Sequence, residues 1–241
     1  MPLRNTTKAR SPDPPKRKPE IHLKTFFASA VKTALTGHKH MKSICVYCGS
    51  SAGIRPEYKN AALALAKALS ERGMGLVYGG GDVGLMGIVA RESLRLGCGV
   101  EGVITKDLFK REVAFKELPT LHVVESMHER KALMAKLADG FIAMPGGLGT
   151  FDEFFEAITW TQLGIHLKPC GLLNTCGYYT PLISFLEHAV KEGFICTGSL
   201  SALHSSSEPG ELLDFMAKFK PGQMPDKAKA ALAIELGSRK G

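Results

Sequence analysis

From Ser43 onward the chain alternates between two hydrophobic patterns. Short, almost wholly apolar runs such as Leu76-Val77-Tyr78, Phe141-Ile142-Ala143-Met144 and Gly171-Leu172-Leu173 are each followed by a turn of small residues. Segments with apolar residues every three or four positions come next. Continuous apolar runs of this length are what a strand buried on both faces requires, and the longer period is that of an amphipathic helix. The pattern predicts strands near 43–48, 75–79, 98–104, 120–124, 140–144, 169–174 and 200–204. It predicts helices near 56–72, 84–96, 126–138, 150–163, 179–192 and 208–219. Regular alternation of the two makes this an α/β chain: a Rossmann-like, doubly wound parallel sheet of about seven strands in one domain, residues 43–220.

The ends read differently. Residues 1–42 mix Pro12, Pro14, Pro15 and Pro19 with basic side chains, and are expected to be a largely disordered leader. Within it, residues 21–36 could form a short helix that docks on the body. Residues 221–241 form an Ala/Lys-rich tail. Charge follows the same division. The chain carries a net +8, but residues 1–42 alone hold 10 Lys and Arg against 2 Asp and Glu. The other 199 residues hold 21 of each, so the body is neutral. The basic balance is therefore no sign of a nucleic-acid groove, and no nucleic-acid partner is expected.

Six cysteines stand at 45, 48, 98, 170, 176 and 196. Cys45 and Cys48 form a CxxC, but inside a strand rather than at a helix start, so reduced structural thiols are expected. No apolar run reaches the roughly 18–20 residues that span a membrane. The segment Phe26–Leu35 is short, contains Lys32 and lacks a cleavage site. A cytoplasmic protein without a membrane partner follows. The eight histidines form no ligand cluster, so neither a metal nor another cofactor is expected.

Three small-residue turns fall at the carboxyl ends of predicted strands: Gly49-Ser50-Ser51, Gly79-Gly80-Gly81-Asp82-Val83-Gly84 and Pro145-Gly146-Gly147-Leu148-Gly149-Thr150. In open α/β sheets ligands bind along this edge, near the switch in strand order. Glycines let the backbone approach an anion, and the next helix offers free N–H groups. A phosphorylated ligand is implied, with Gly49, Ser50, Gly80 and Gly81 on its periphery. The second turn also matches GxGxxG with Glu101 about twenty residues on, which would suit a dinucleotide. It follows the second strand, however, and Glu101 lies within a strand, so tight packing turns explain the glycines as well.

Two segments carry the chemistry. Pro145 to Glu153 reads P-G-G-L-G-T-F-D-E after a buried strand. Thr150 and Glu153 have capping-box spacing, and a purely structural role there stands beside a catalytic one. Ser126-Met127-His128-Glu129-Arg130-Lys131 opens another helix. Two cations near a helix N-terminus oppose its dipole and call for an anionic partner.

Met127 to Lys131 followed by Pro145 to Glu153 resembles the LONELY GUY family of cytokinin riboside 5′-monophosphate phosphoribohydrolases. Val46 to Ser51, Tyr78 to Gly81, Gly84 to Gly87, Thr159 to Gly164 and Gly171 to Asn174 extend the resemblance, which runs from about Ser43 to Phe219. Asp152 departs from the Glu that many relatives carry. An older label for such proteins, possible lysine decarboxylase, finds no support, because no lysine stands in a recognisable pyridoxal-phosphate context. The resemblance implies Arg130 and Glu153 as catalytic residues. Its substrate contacts fall on Glu112, Lys131, Gly147, Leu148, Gly149, Thr150, Phe151, Asp152 and Thr159.

The implied activity is hydrolysis of the N-glycosidic bond of purine nucleoside 5′-monophosphates, N6-modified adenine nucleotides or AMP among them. Such a bond breaks through an oxocarbenium-like sugar, which wants a carboxylate near C1′. Glu153 fits that need. The family also implies a homodimer or a multiple of one. The alternative is a non-catalytic nucleotide- or molybdenum-cofactor-binding Rossmann protein.

Overall fold

Seven strands line up in the order β4-β3-β2-β1-β5-β6-β7, every neighbouring pair parallel. They are β1 (Ser43–Tyr47), β2 (Gly75–Tyr78), β3 (Val100–Thr105), β4 (Thr120–Val124), β5 (Gly140–Ala143), β6 (Cys170–Leu173) and β7 (Leu203–Ser206). Among the described residues seven α-helices alternate with them, six joining successive strands and the last following β7: α1 (Pro56–Glu71), α2 (Gly84–Arg95), α3 (Lys106–Arg111), α4 (Met127–Leu137), α5 (Leu148–Gln162), α6 (Thr180–Lys191) and α7 (Pro209–Lys218). The structure, a computed structural model, describes residues 41–111 and 114–220. The expectations for the leader up to His40, the tail from Pro221 and the substrate contact Glu112 lie outside the described residues.

Strand alternation sorts the core into two layers. Ile44 and Val46 of β1 point to one face, where Leu65 and Leu69 of α1, Val89 of α2 and Leu212 of α7 pack on them. Cys45 and Tyr47 point to the other, against Met134 of α4 and Phe154 and Ala157 of α5. Helices on both faces explain why the central strands read as unbroken apolar runs. Each fully buried leucine of this kind contributes about 1.5–3 kcal/mol by leaving water. The same alternation settles the CxxC: Cys45 and Cys48 lie in opposite layers. Burial pushes both thiols above their ordinary range, so they are inert fillers of the core.

Chain order fixes where a ligand can sit. From β1 the chain winds outward through β2, β3 and β4, then returns to place β5 on the other side of β1. The connections leaving β1 and β5 therefore diverge, opening a crevice at the carboxyl edge. The turns after these strands touch there, with the Gly49 N–H donating to the Pro145 carbonyl at 3.0 Å.

Two strand boundaries and one helix differ from the sequence pattern for local reasons. β3 begins at Val100 because Leu96, Gly97 (φ +80°) and Cys98 fold back on α2 through N–H bonds to Glu92, Leu94 and Ser93 carbonyls. The expected 200–204 strand moves to Leu203–Ser206 because Thr197–Leu200 forms a 3₁₀ turn. Helix α3 was not expected, since its six residues are too short to show a period.

Candidate active site

The capping box that the Thr150–Glu153 spacing allows, the structural alternative to a catalytic Glu153, does not form. Helix α5 starts two residues earlier, at Leu148, with Gly147 as its N-cap and no side-chain cap. Thr150 is instead buried in the first turn, its hydroxyl packed on Gly146 so tightly that a Cβ there would lie 2.2 Å from Oγ1. Gly146 must be glycine for the turn to close. The Leu148, Gly149 and Thr150 amides precede the first intrahelical donor, Phe151 N–H to the Gly147 carbonyl at 3.1 Å. Among the described residues these three N–H groups at the helix N-terminus have no partner and are left for a ligand or solvent. Gly147, Leu148 and Gly149 are exposed, Leu148 by 85%.

Freed from capping, Glu153 turns toward α4. Its Oε1 accepts a 2.6 Å hydrogen bond from Arg130 Nη1. Both side chains are nearly buried, 7% exposed for Arg130 and 11% for Glu153. Arg130 is further fixed by donating from Nε to the Val103 carbonyl at 2.9 Å and from Nη2 to the Gly79 carbonyl at 3.2 Å. One guanidinium therefore joins β3 and the turn that follows β2 to α5. Gly79 makes room for it: a Cβ there would lie 2.3 Å from Arg130 Nη2. Burial raises the Glu153 carboxyl above the usual carboxylate range, and the Arg130 charge opposes that rise. The pair is a carboxylate desolvated by the fold yet kept beside a fixed cation.

The second cation of the motif is answered in the same way. Lys131 Nζ donates to Asp152 at 3.3 Å and also contacts Glu156. Burial pulls the ammonium down, but pairing with Glu156 and Asp152 outweighs it and holds Lys131 above its ordinary range. The dipole cost of two cations at the start of α4 is thus offset by carboxylates from α5. Ser126 caps α4, accepting the Glu129 N–H at 3.2 Å. A shallow cleft between the two helices is lined by Tyr47, Lys131, Glu153, Glu156 and Trp160.

Tyr47, Glu156 and Trp160 were not among the expected site residues. The signal for Glu156 was present: it stands one helical turn beyond Asp152 and Glu153, on the same face. Phe151 leaves the site, packing edge-on to Tyr179 at 6.4 Å. Asp152 keeps a 62% exposed side chain. Thr159 is exposed, six residues along α5 from Glu153, a rise of about 9 Å, and does not line the cleft.

Of the peripheral glycines, Gly49 joins the two crevice turns, while Gly80 and Gly81 face the β3–β4 connection. The Gly80 carbonyl accepts the Phe115 N–H at 3.0 Å, and Gly81 bridges Ala114. Ser50 lies beneath Gly84, whose φ of +55° and 2.3 Å clearance to Ser50 exclude a side chain. The GxGxxG spacing is explained by Arg130 at one end and Ser50 at the other, and Glu101 pairs with His122 at 2.9 Å on the neighbouring strand. Among the described residues no group of three His, Cys, Asp or Glu could hold a metal ion. No described helix is long and apolar enough to cross a membrane.

A family model described as "Possible lysine decarboxylase" matches residues 86–216. The chain is 49% identical to the Oryza sativa cytokinin riboside 5′-monophosphate phosphoribohydrolase LOG over 180 residues, 75% of this chain and 74% of the relative. The chain belongs to the LOG family. It is 48% identical to LOG7 of Arabidopsis thaliana, over 75% of this chain and 83% of that one. Among solved structures it is similar to the molybdenum cofactor binding protein of Rippkaea orientalis. That match has a TM-score of 0.55 at 21% identity, over 73% of this chain and 94% of the other. A molybdenum cofactor carrier of Chlamydomonas reinhardtii gives a TM-score of 0.54 at 18% identity, over 72% and 95%. These structural likenesses concern the fold. LOG membership and the buried Arg130–Glu153 pair concern the site.

Proposed function

We propose that this LOG-family chain hydrolyses the N-glycosidic bond of purine nucleoside 5′-monophosphates, N6-modified adenine nucleotides among them, giving free base and ribose 5-phosphate. The observation that carries the reading is the desolvated Arg130–Glu153 pair at the crevice edge, one turn into the helix whose first amides have no partner among the described residues. The 5′-phosphate binds the Leu148, Gly149 and Thr150 N–H groups, where the helix dipole favours an anion. This places the ribose over Glu153. As the bond from C1′ to the base nitrogen breaks, its electron pair leaves with the base and positive charge grows on C1′ and the ring oxygen. The Glu153 carboxylate stabilises that charge and takes a proton from the water that attacks C1′. The departing base takes a proton on nitrogen from solvent water as it leaves, and Glu153 returns to solvent the proton it took from the attacking water, which restores the carboxylate. Arg130 holds the carboxylate in place through the transition.

A panel of substrates tests the reading. AMP and N6-isopentenyl-AMP are expected to release base far faster than adenosine, with ADP and ATP poor, because the turn accommodates one terminal phosphate group. Equal rates for adenosine and AMP would remove the phosphate role from Gly147 to Thr150. The alternative, a binding protein without turnover, is disfavoured by Arg130 and Glu153: a carrier has no need to bury a carboxylate beside its ligand. No base released from any monophosphate, despite saturable binding, would establish it.

The working unit in this proposal is a homodimer or a multiple of one. Met127 at the start of α4, together with Leu148 and Leu163 at the two ends of α5, leaves apolar surface exposed around the site helices, 42%, 85% and 51% respectively. Burying such side chains against a second copy is favourable. Light scattering at micromolar concentration is expected to give at least twice the chain mass. A monomer there would overturn this part of the reading.

A further inference from the structure

We infer that Tyr178 and Tyr179 are positioning residues that aim the Pro145–Thr150 turn at the phosphate. The inference rests on the anion role proposed for that turn and deepens it. A loop can present N–H groups to an anion only if its own carbonyls point elsewhere, since a carbonyl oxygen facing a phosphate repels it. At this turn three consecutive carbonyls are held by other parts of the fold. The Met144 carbonyl accepts the Tyr179 hydroxyl at 2.7 Å. The Pro145 carbonyl accepts the Gly49 N–H at 3.0 Å. The Gly146 carbonyl accepts the Tyr178 hydroxyl at 2.5 Å. Two of the three anchors are adjacent side chains from the connection between β6 and α6, which otherwise takes no part in the site.

That connection is shaped to deliver both phenols. Asn174 accepts the Tyr179 N–H through Oδ1 at 2.6 Å and donates from Nδ2 to the Thr180 hydroxyl at 3.1 Å. Cys176 is the one non-glycine described with positive φ, at +53°, and Gly177 follows at +71°. Two successive left-handed residues reverse the chain within the space available, and strained backbone of this kind gathers beside functional sites. The rings are locked as well: Tyr178 stands edge-on to Tyr179 at 5.0 Å and to Tyr58 at 5.9 Å. Tyr179 is buried, whereas Tyr178 is 37% exposed, so its hydroxyl can be removed without opening the core.

The test is steady-state kinetics of the full chain and of Tyr178→Phe with AMP and with adenosine, together with inhibition by inorganic phosphate. Phe keeps the ring contacts and deletes only the hydrogen bond, an interaction whose loss corresponds to about a fivefold change in binding. The expected result is a rise of about that size in KM for AMP and in the inhibition constant for phosphate. The loss falls on KM rather than kcat, and the preference for AMP over adenosine shrinks in step. Tyr178→Ala, which also removes the ring, is expected to shrink it further. An unchanged KM for AMP in Tyr178→Phe would overturn the inference, as would equal losses with AMP and adenosine, the mark of general loosening. If the unaltered chain does not prefer AMP to adenosine at all, the phosphate role of the turn fails first, and the inference with it.

Discussion

Glu153→Gln is expected to cut base release from AMP by about two orders of magnitude or more, the scale of a positioned carboxylate in proton transfer and charge stabilisation. The substitution keeps the shape and the oxygen that accepts the 2.6 Å bond from Arg130 Nη1, and removes the charge that opposes the oxocarbenium. Arg130 retains its bonds to the Val103 and Gly79 carbonyls, so the fold survives and the melting temperature moves little. The phosphate amides belong to residues 148–150 and are untouched, so calorimetry should find AMP bound at nearly the original affinity. Turnover, melting and binding together separate chemistry from architecture. Near-normal base release would remove Glu153 from the mechanism and leave the pair as a structural ion bridge.

Arg130→Ala is expected to damage both rate and stability. Removing the guanidinium leaves Glu153 buried without its cation, and breaking one side of a buried pair costs about 3–5 kcal/mol. The cavity and the freed Val103 and Gly79 carbonyls add to that. The pH dependence follows from the direction of the Glu153 shift. Burial raises its pKa and Arg130 restrains the rise, so losing Arg130 raises it further. Activity needs the carboxylate, so the acid limb of the kcat/KM profile moves to higher pH in Arg130→Ala.

Stability moves the other way. A carboxyl whose folded pKa lies above its unfolded value binds its proton more tightly in the fold, and stability is lost as pH rises through the folded pKa. The deficit of Arg130→Ala against the unaltered chain therefore narrows on acidification. Chemical denaturation at several pH values reads that deficit. A deficit independent of pH would mean that Glu153 finds another cation.

The sequence pattern recovered all seven strands and the six long helices: burial on both faces writes the inner strands β1, β2, β5 and β6 as nearly unbroken apolar runs, and the half-exposed edge strands β4 and β7 were placed by the regular alternation with helices. It paired the right segments for chemistry too: the Arg130-Lys131 motif and the P-G-G-L-G-T-F-D-E run do meet across α4 and α5. What it could not show was which way side chains turn at a helix start. Thr150 with Glu153 has the spacing of a cap, and only the packing of Thr150 against Gly146 and the pull of Arg130 decide otherwise. Glu156 and Tyr178 were missed for a related reason. Their partners, Lys131 and the Gly146 carbonyl, lie 25 and 32 residues away. Gly79 was read as a turn residue, whereas its lack of a side chain serves a guanidinium 51 residues further along.

The central position of β1 carries a practical consequence for building on this protein. Its first residues are moored at the opposite rim from the crevice, where the Lys42 N–H donates to Asp139 at 2.8 Å and the Ser43 hydroxyl donates to the Leu137 carbonyl at 2.7 Å. Five residues of strand, about 15 Å, separate that rim from the turns that face a ligand. A fluorophore, affinity handle or fused domain attached just ahead of Met41 would begin its path on the underside of the molecule. The same handle at the Leu148 end of α5 would stand in the substrate's way.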